Sequence, residues 1–237
     1  MGPVYFLTLR QLSGRWRILI MTALAAMPVI IAFLTIATLS APSVQDFEIA
    51  VLSAMLAGSI APLVVLAIAA AAFANEVEDR TIANLTLSPL PRWQIVVPKL
   101  LAAITLAGPF IAVSALVTAH LAFLGDLKAT IAVTVSALAG VAMYASMFIW
   151  LGLLTTQAIG VGLLYIVLWE GFFSGFVSGA RLLSIRHYAI ALMHGMDERR
   201  FAGSSHVGLG LAVLVSVVVF GGFLLLAVRR LRRMDVP

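Results

Sequence analysis

The chain has 237 residues, 62% of them hydrophobic and only 11% charged, with a mean hydropathy of +1.12. Soluble domains carry about a quarter charged residues, so this composition describes an integral membrane protein and excludes a soluble domain built around a large core. Cysteine is absent, which removes disulfides, thiolate metal sites and cysteine nucleophiles, and the net charge of +5 comes from basic residues at the ends of hydrophobic segments, where they set orientation in a bilayer rather than bind nucleic acid.

In chain order, Val4, Tyr5, Leu7, Leu9, Leu12 and Trp16 alternate with Arg10, Gln11, Arg15 and Arg17. This pattern predicts an amphipathic helix over 2–17, lying in the membrane interface with its aromatic rings among the headgroups. The apolar run over 18–39 is longer than the roughly 7–15 residues of a signal-peptide core, and is read as a retained span. Five further stretches reach the ~20 apolar residues that a spanning helix needs: 51–74, 100–124, 130–151, 158–176 and 207–228. Helices are expected, because an open strand edge leaves backbone groups unsatisfied in lipid and no alternating barrel pattern occurs. With the N-terminus inside, the inner segments hold Arg10, Arg15, Arg17, Arg80, Arg92, Lys99, Arg229, Arg230, Arg232 and Arg233; the outer ones hold Lys128, Arg181, Arg186, Arg199 and Arg200. This excess places both termini in the cytoplasm. The final basic cluster reads as an anchor to anionic lipid. No solenoid-type repeat is present, and the longest polar connections, 75–99 and 177–206, leave no room for a soluble domain.

The 75–99 loop is the most informative stretch. Glu76, Glu78, Asp79, Arg80, Arg92 and Lys99 put six charges into it, with Pro89, Pro91 and Pro98. Pro89 and Pro91 forbid a continuous helix and fix a bend. Thr81 can cap a short helix over 82–87, with the acidic residues near its positive end. Leu85 and Leu87 would then face a groove on a soluble partner, ringed by charge for orientation.

The run Glu76-x-Glu78-x-Arg80-Thr81, Leu85, Leu87-Ser88-Pro89-x-Pro91-Arg92 and Lys99 resembles the cytoplasmic loop of ABC-2 type transporter permeases. Arg80 departs from the commonest family pattern, which has glycine there. The span count, the leader, the long last outer loop and the basic tail carry the resemblance over the whole chain. It implies an all-α permease fold, type V exporter-like, with six transmembrane helices. It also implies a homodimer bound to two copies of a separate ABC ATPase in the bacterial plasma membrane. The coupling loop would seat Glu76, Glu78, Asp79, Arg80, Thr81, Leu85, Ser88, Pro89, Pro91 and Arg92 against that ATPase. No Gly-x-x-x-x-Gly-Lys-Ser/Thr loop occurs in this chain, so ATP and magnesium would sit on the partner, and the chain itself would need no cofactor and perform no covalent chemistry.

Toward the outer end of the fifth span, Gly171, Gly175 and Gly179 recur at four-residue spacing. Such small residues allow close approach of a neighbouring helix, either in a second copy or within one subunit; Gly175 and Gly179 are also consistent with a re-entrant bend in the 177–206 loop. Glu170 is a carboxylate at membrane depth, costly unless paired or functional. Arg181 or Arg186 returning to it would form a latch or outer gate, and would explain the arginines in that loop. His187, His194 and His206 share the loop and are read as ordinary polar residues rather than a metal site. A Glu/Arg intramembrane hydrolase is disfavoured, because within the spans only His120 is available to activate water. The spans' few hydroxyls, among them Thr105, Ser114, Thr118, Thr134 and Ser136, can bond to their own helix, and an apolar lumen would suit a lipid-like cargo. The alternatives are a haem-handling permease subunit of cytochrome c maturation, an ATPase-independent secondary transporter or channel, and a membrane anchor.

Overall fold

The computed structural model describes residues 2–38, 43–73, 91–174, 178–201 and 207–233. Every regular element among them is helical. Helix α1 is Gly2–Leu12 and α2 is Arg15–Thr38. Helix α3 is composite: Val44–Phe47, wider π-helical turns over Glu48–Ile60, then Ala61–Ala69. Helices α4, Trp93–Ala122, with Pro98 and Pro109 inside it, and α5, Leu127–Leu154, are the longest described. Helix α6 runs Ala158–Leu164 and continues as π-helical turns over Tyr165–Phe173. The short α7 is Ser178–Arg181, α8 is Ile185–Met196 and α9 is Leu209–Arg233.

Among the described residues, five helical stretches are long and apolar enough to cross a membrane: Arg15–Ala37, Gln45–Phe73, Trp93–Ala122, Leu127–Leu154 and Leu209–Arg233. The sixth apolar stretch of the sequence forms the shorter Ala158–Phe173. Several helices extend beyond the apolar runs read from the sequence, because polar residues at a span's end join the last turns instead of stopping them. Lys99 is the clearest case. It is buried inside α4, its Nζ donating to the Ala72 carbonyl at 2.6 Å and lying 4.2 Å from the centre of the Phe73 ring.

Helix α5 is the centre of the bundle, with 72% of its apolar window buried against 22% for α2 and 17% for α9. It packs against α3, α4, α8 and α9. Where it crosses α3, Gly152 allows backbone contact: a Cβ there would stand 2.8 Å from the Ala70 carbonyl oxygen. The turn from α4 to α5 is tight, with Leu124 at φ 52 and Gly125 at φ 82. It delivers Asp126 as the N-cap of α5, its Oδ1 accepting from the backbone of Lys128 and Ala129 at 3.0 and 3.4 Å. That satisfies two of the donors a helix start leaves open. Helix α1 lies against α4, where the Tyr5 hydroxyl donates to Thr105 Oγ1 at 3.0 Å, while Phe6 and Leu7 stay exposed.

Contacts among the described residues define two ends of the bundle. At one, Lys99 reaches Ala72 and Arg230 approaches the Leu153 carbonyl; at the other, His194 meets Glu48 and Lys128 meets Asp197.

Candidate functional site

The second end holds two polar clusters, one around a buried carboxylate and one that is partly exposed. The first surrounds Glu170, which is completely buried. Its Oε1 accepts from the Tyr165 hydroxyl at 2.9 Å and the Ile185 backbone N–H at 3.0 Å, and its Oε2 accepts from the Ser184 hydroxyl at 2.5 Å. Ser184 is also the N-cap of α8, accepting from the His187 backbone at 3.2 Å. The carboxylate thus ties α6 to the first residues of α8. Three donors on one carboxylate replace much of the hydration it gives up at membrane depth.

Arg186 completes the cluster from a different direction. Its Nη1 donates to the backbone carbonyl of Glu170 at 3.3 Å, and its Nε and Nη2 donate to Ser53 Oγ at 3.2 and 2.9 Å. The guanidinium therefore lies between the π-helical turns of α3 and those of α6, two elements that are in contact. Gly58 makes room for it, since a Cβ there would stand 3.0 Å from Arg186 Cδ and 3.1 Å from the Ser53 carbonyl oxygen. The π-helical turns run through 13 residues of α3 and 9 of α6 on either side of this one arginine. Arg181 turns back instead to the Ser174 carbonyl, with Nε at 3.1 Å. Each arginine thus contacts the α6 backbone, while the Glu170 carboxylate is held by two hydroxyls and an amide.

The second cluster ties the 194–200 segment to its neighbours through three acid–base pairs. Buried His194 pairs through Nε2 with buried Glu48 of α3. Asp197 meets Lys128 of α5 at 3.2 Å, and Arg200 meets Asp126 at 3.6 Å. Phe201 stacks on His194 with centroids 5.8 Å apart and an interplanar angle of 7°, and it meets Phe123 edge-on; the Arg200 guanidinium lies over the Phe123 ring at 5.2 Å. His187, on α8, has its pKa pushed below the ordinary histidine value by burial first and by the Arg181 charge second. Among the described residues, no three potential metal-ligating side chains come together.

Glu76, Glu78, Asp79, Arg80, Thr81, Leu85, Ser88, Pro89 and Gly175 lie outside the described residues. Pro91 and Arg92 open α4: the Pro91 carbonyl accepts from Gln94 at 2.8 Å, and that of Arg92 from Ile95 and Val96 at 3.1 and 3.2 Å. Gly171 and Gly179 face open space in the single chain. A Cβ at Gly171 would meet only its own helix at Ile166 O, 3.6 Å away, and one at Gly179 would meet nothing within 4 Å.

Residues 6–182 match the family of ABC-2 family transporter proteins. The chain belongs to that family. It is thus the membrane permease component of an ABC transporter and a multi-pass membrane protein. No curated protein matches it.

Sequence reasoning picked out Glu170, Arg181 and Arg186 in this permease but passed over Ser53, Ser184, Glu48 and the His194 pairing. Ser184 carried a signal, since a serine just before an amphipathic stretch is an N-cap pattern. Glu48 carried a weaker one, a carboxylate on the doorstep of an apolar run. Its partner lies 146 residues away and no local pattern points to it.

Proposed function

We propose that this permease works as the transmembrane half of an exporter: a homodimer, with both termini cytoplasmic and two copies of a separate ATPase docked on its 75–99 loop. The observation that carries this reading is the family match over residues 6–182, in a chain with no phosphate-binding loop of its own. Six crossings are completed by α6, α1 lies in the interface, and the unfilled face at Gly171 and Gly179 receives a second copy. Closure of the two ATPases on ATP pushes Glu76, Glu78, Asp79, Arg80, Thr81, Leu85, Ser88, Pro89, Pro91 and Arg92 as a unit. The push reaches α3 and α4 directly, and Lys99 joins the ends of those two helices through its bond to Ala72. At the far end, Glu170 and Arg186 act as the latch that holds α6, α8 and α3 in one arrangement. Arg181 secures the turn after α6. The 177–206 segment forms the outer cover, with α8 packed down on α5.

The test is co-purification with the ATPase encoded beside the permease, comparing wild type with a Glu78→Ala/Leu85→Asp variant in nanodiscs. Capture by the wild type and its loss in a folded variant is expected. Absence of capture by a folded wild type would remove the ATPase-coupled reading and leave an autonomous channel, secondary transporter or anchor.

A further inference from the structure

Most hydroxyls of the described membrane helices bond their own helix; apart from Ser59, which reaches five residues back, and Ser53, which accepts from Arg186, those left without a partner are Tyr144 on α5 and two on α4. Thr22, Thr35, Thr105, Thr130, Thr134, Ser174 and Ser216 each donate to the carbonyl four residues earlier, and Ser136 and Ser146 to the carbonyl three earlier. This back-bonding is how a hydroxyl satisfies itself in lipid. Ser114 and Thr118, one turn apart on α4, are buried and their hydroxyls have no partner. Ser114 also lines a cavity of about 450 Å³ between α2 and α4. Its wall includes Ala25, Val29, Pro109 and Val113 and carries no charged residue. The wall runs from Pro109 to Val117 on α4 and from Thr22 to Ile30 on α2, which at 1.5 Å per residue is about 12 Å along each helix.

We propose that this cavity binds a neutral single-chain amphiphile drawn from the surrounding bilayer, its hydrocarbon chain lying between α2 and α4 and a neutral hydrogen-bonding group, such as an alcohol or ester, meeting Ser114. Four observations fix the class. The wall is apolar along its length, so it suits hydrocarbon. It has no charge to pair with, so an ionic headgroup would be stranded there. An unpartnered buried hydroxyl asks for one uncharged partner. And α2 leaves most of its surface outside the bundle, so access is sideways from lipid rather than from water. The site is independent of the ATPase-coupled reading: it is a property of α2 and α4 in the permease alone.

The probe is tritiated 1-monooleoylglycerol, titrated onto the purified full chain in detergent, with oleate as the anionic comparison. Saturable binding of monooleoylglycerol and weaker binding of oleate are expected. Ser114→Ala should weaken monooleoylglycerol about fivefold through loss of one hydrogen bond and leave oleate nearly unchanged. Ala26→Phe, which fills the cavity, should abolish saturable binding, whereas Val217→Phe, on an exposed part of α9, should not. Should Ala26→Phe fail to fold, Ser114→Ala still decides. Equal binding of the two probes overturns the neutral class. Unchanged binding in Ser114→Ala, or in a folded Ala26→Phe, overturns the site.

Discussion

Removing the Glu170 side chain tests the latch most directly. In Glu170→Ala the Ile185 N–H loses its acceptor and cannot turn to find another, being fixed in the first turn of α8. The Tyr165 and Ser184 hydroxyls lose theirs as well. A buried donor left unsatisfied costs about 1–3 kcal/mol. With two of the three groups stranded, and relaxation relieving part of it, the expected loss is about 3–5 kcal/mol. Glu170→Gln is milder. The amide oxygen can keep Tyr165 and Ile185, but its NH₂ then faces Ser184, whose oxygen already accepts from His187. The charge-assisted bonds become neutral ones, and that loss is offset in part because a buried charge has gone, so the net cost is about 1–2 kcal/mol. The assay is the apparent melting temperature in one detergent, together with hydrogen exchange over 185–196. The order wild type, Gln, Ala and faster exchange at the start of α8 are expected. An Ala variant as stable as the Gln variant, or unchanged exchange at Ile185, would refute the account of the carboxylate as the tie between α6 and α8. Unchanged assembly and transport in Glu170→Gln would separately remove its role as a gate.

Gly152→Ala should destabilise by roughly 1–3 kcal/mol, because the new methyl meets the Ala70 carbonyl at 2.8 Å and only movement of α3 against α5 relieves it. Gly160→Ala, with nothing within 4 Å, should be neutral or stabilising by up to ~1 kcal/mol; the pair is checked by thermal unfolding in the same detergent. Lys128→Met should cost less than ~1 kcal/mol, since that side chain is 63% exposed and its pair with Asp197 is screened. For His187 the folded-state pKa lies below the unfolded value of about 6.5. The unfolded chain therefore binds the proton more readily, so this contribution is full above pH ~6.5 and is lost as pH falls below it. Melting temperature measured against pH for wild type and His187→Gln should diverge in that window and converge above it.

The apolar spans were legible because lipid imposes a single rule on long stretches: fill about 20 positions with side chains that need no water. Glu170 was legible for the converse reason, as a charge where that rule forbids one. What holds Glu170 was not, because a hydroxyl and a backbone amide can serve as well as an arginine, and nothing local in the sequence separates those solutions. Arg186 illustrates the point: it lies close to Glu170 but spends its donors on Ser53 and a carbonyl. The π-helical turns of α3 and α6 were equally out of reach. A guanidinium from far along the chain lies between them, and apolar periodicity does not distinguish π-helical from α-helical turns. Ser114 and Thr118 were read as able to satisfy themselves on their own helix; the composition of α4 alone gives no reason why they do not.

The uneven distribution of polar ties bears on how a push at one end would travel. At the Glu170 end, α3 is tied to α8 through Ser53–Arg186 and Glu48–His194, α6 to α8 through Glu170, and the start of α5 to the 197–200 turn through Lys128–Asp197 and Asp126–Arg200. The Glu48–His194 and Glu170–Ser184 contacts are buried, where removing one partner strands the other. At the opposite end, among the described residues, Lys99 bonds the Ala72 carbonyl between α4 and α3, and Arg230 approaches the Leu153 carbonyl. On the proposed coupling, force entering at the α3–α4 end would meet the ties of the far end, which would have to release for a cargo to leave. Disrupting them by Glu170→Ala or Arg186→Gln should then leave ATPase capture intact and uncouple hydrolysis from transport, whereas Lys99→Met should lower transport with the far-end exchange pattern unchanged. If far-end variants abolished ATPase capture while still folded, the two ends would be one cooperative unit.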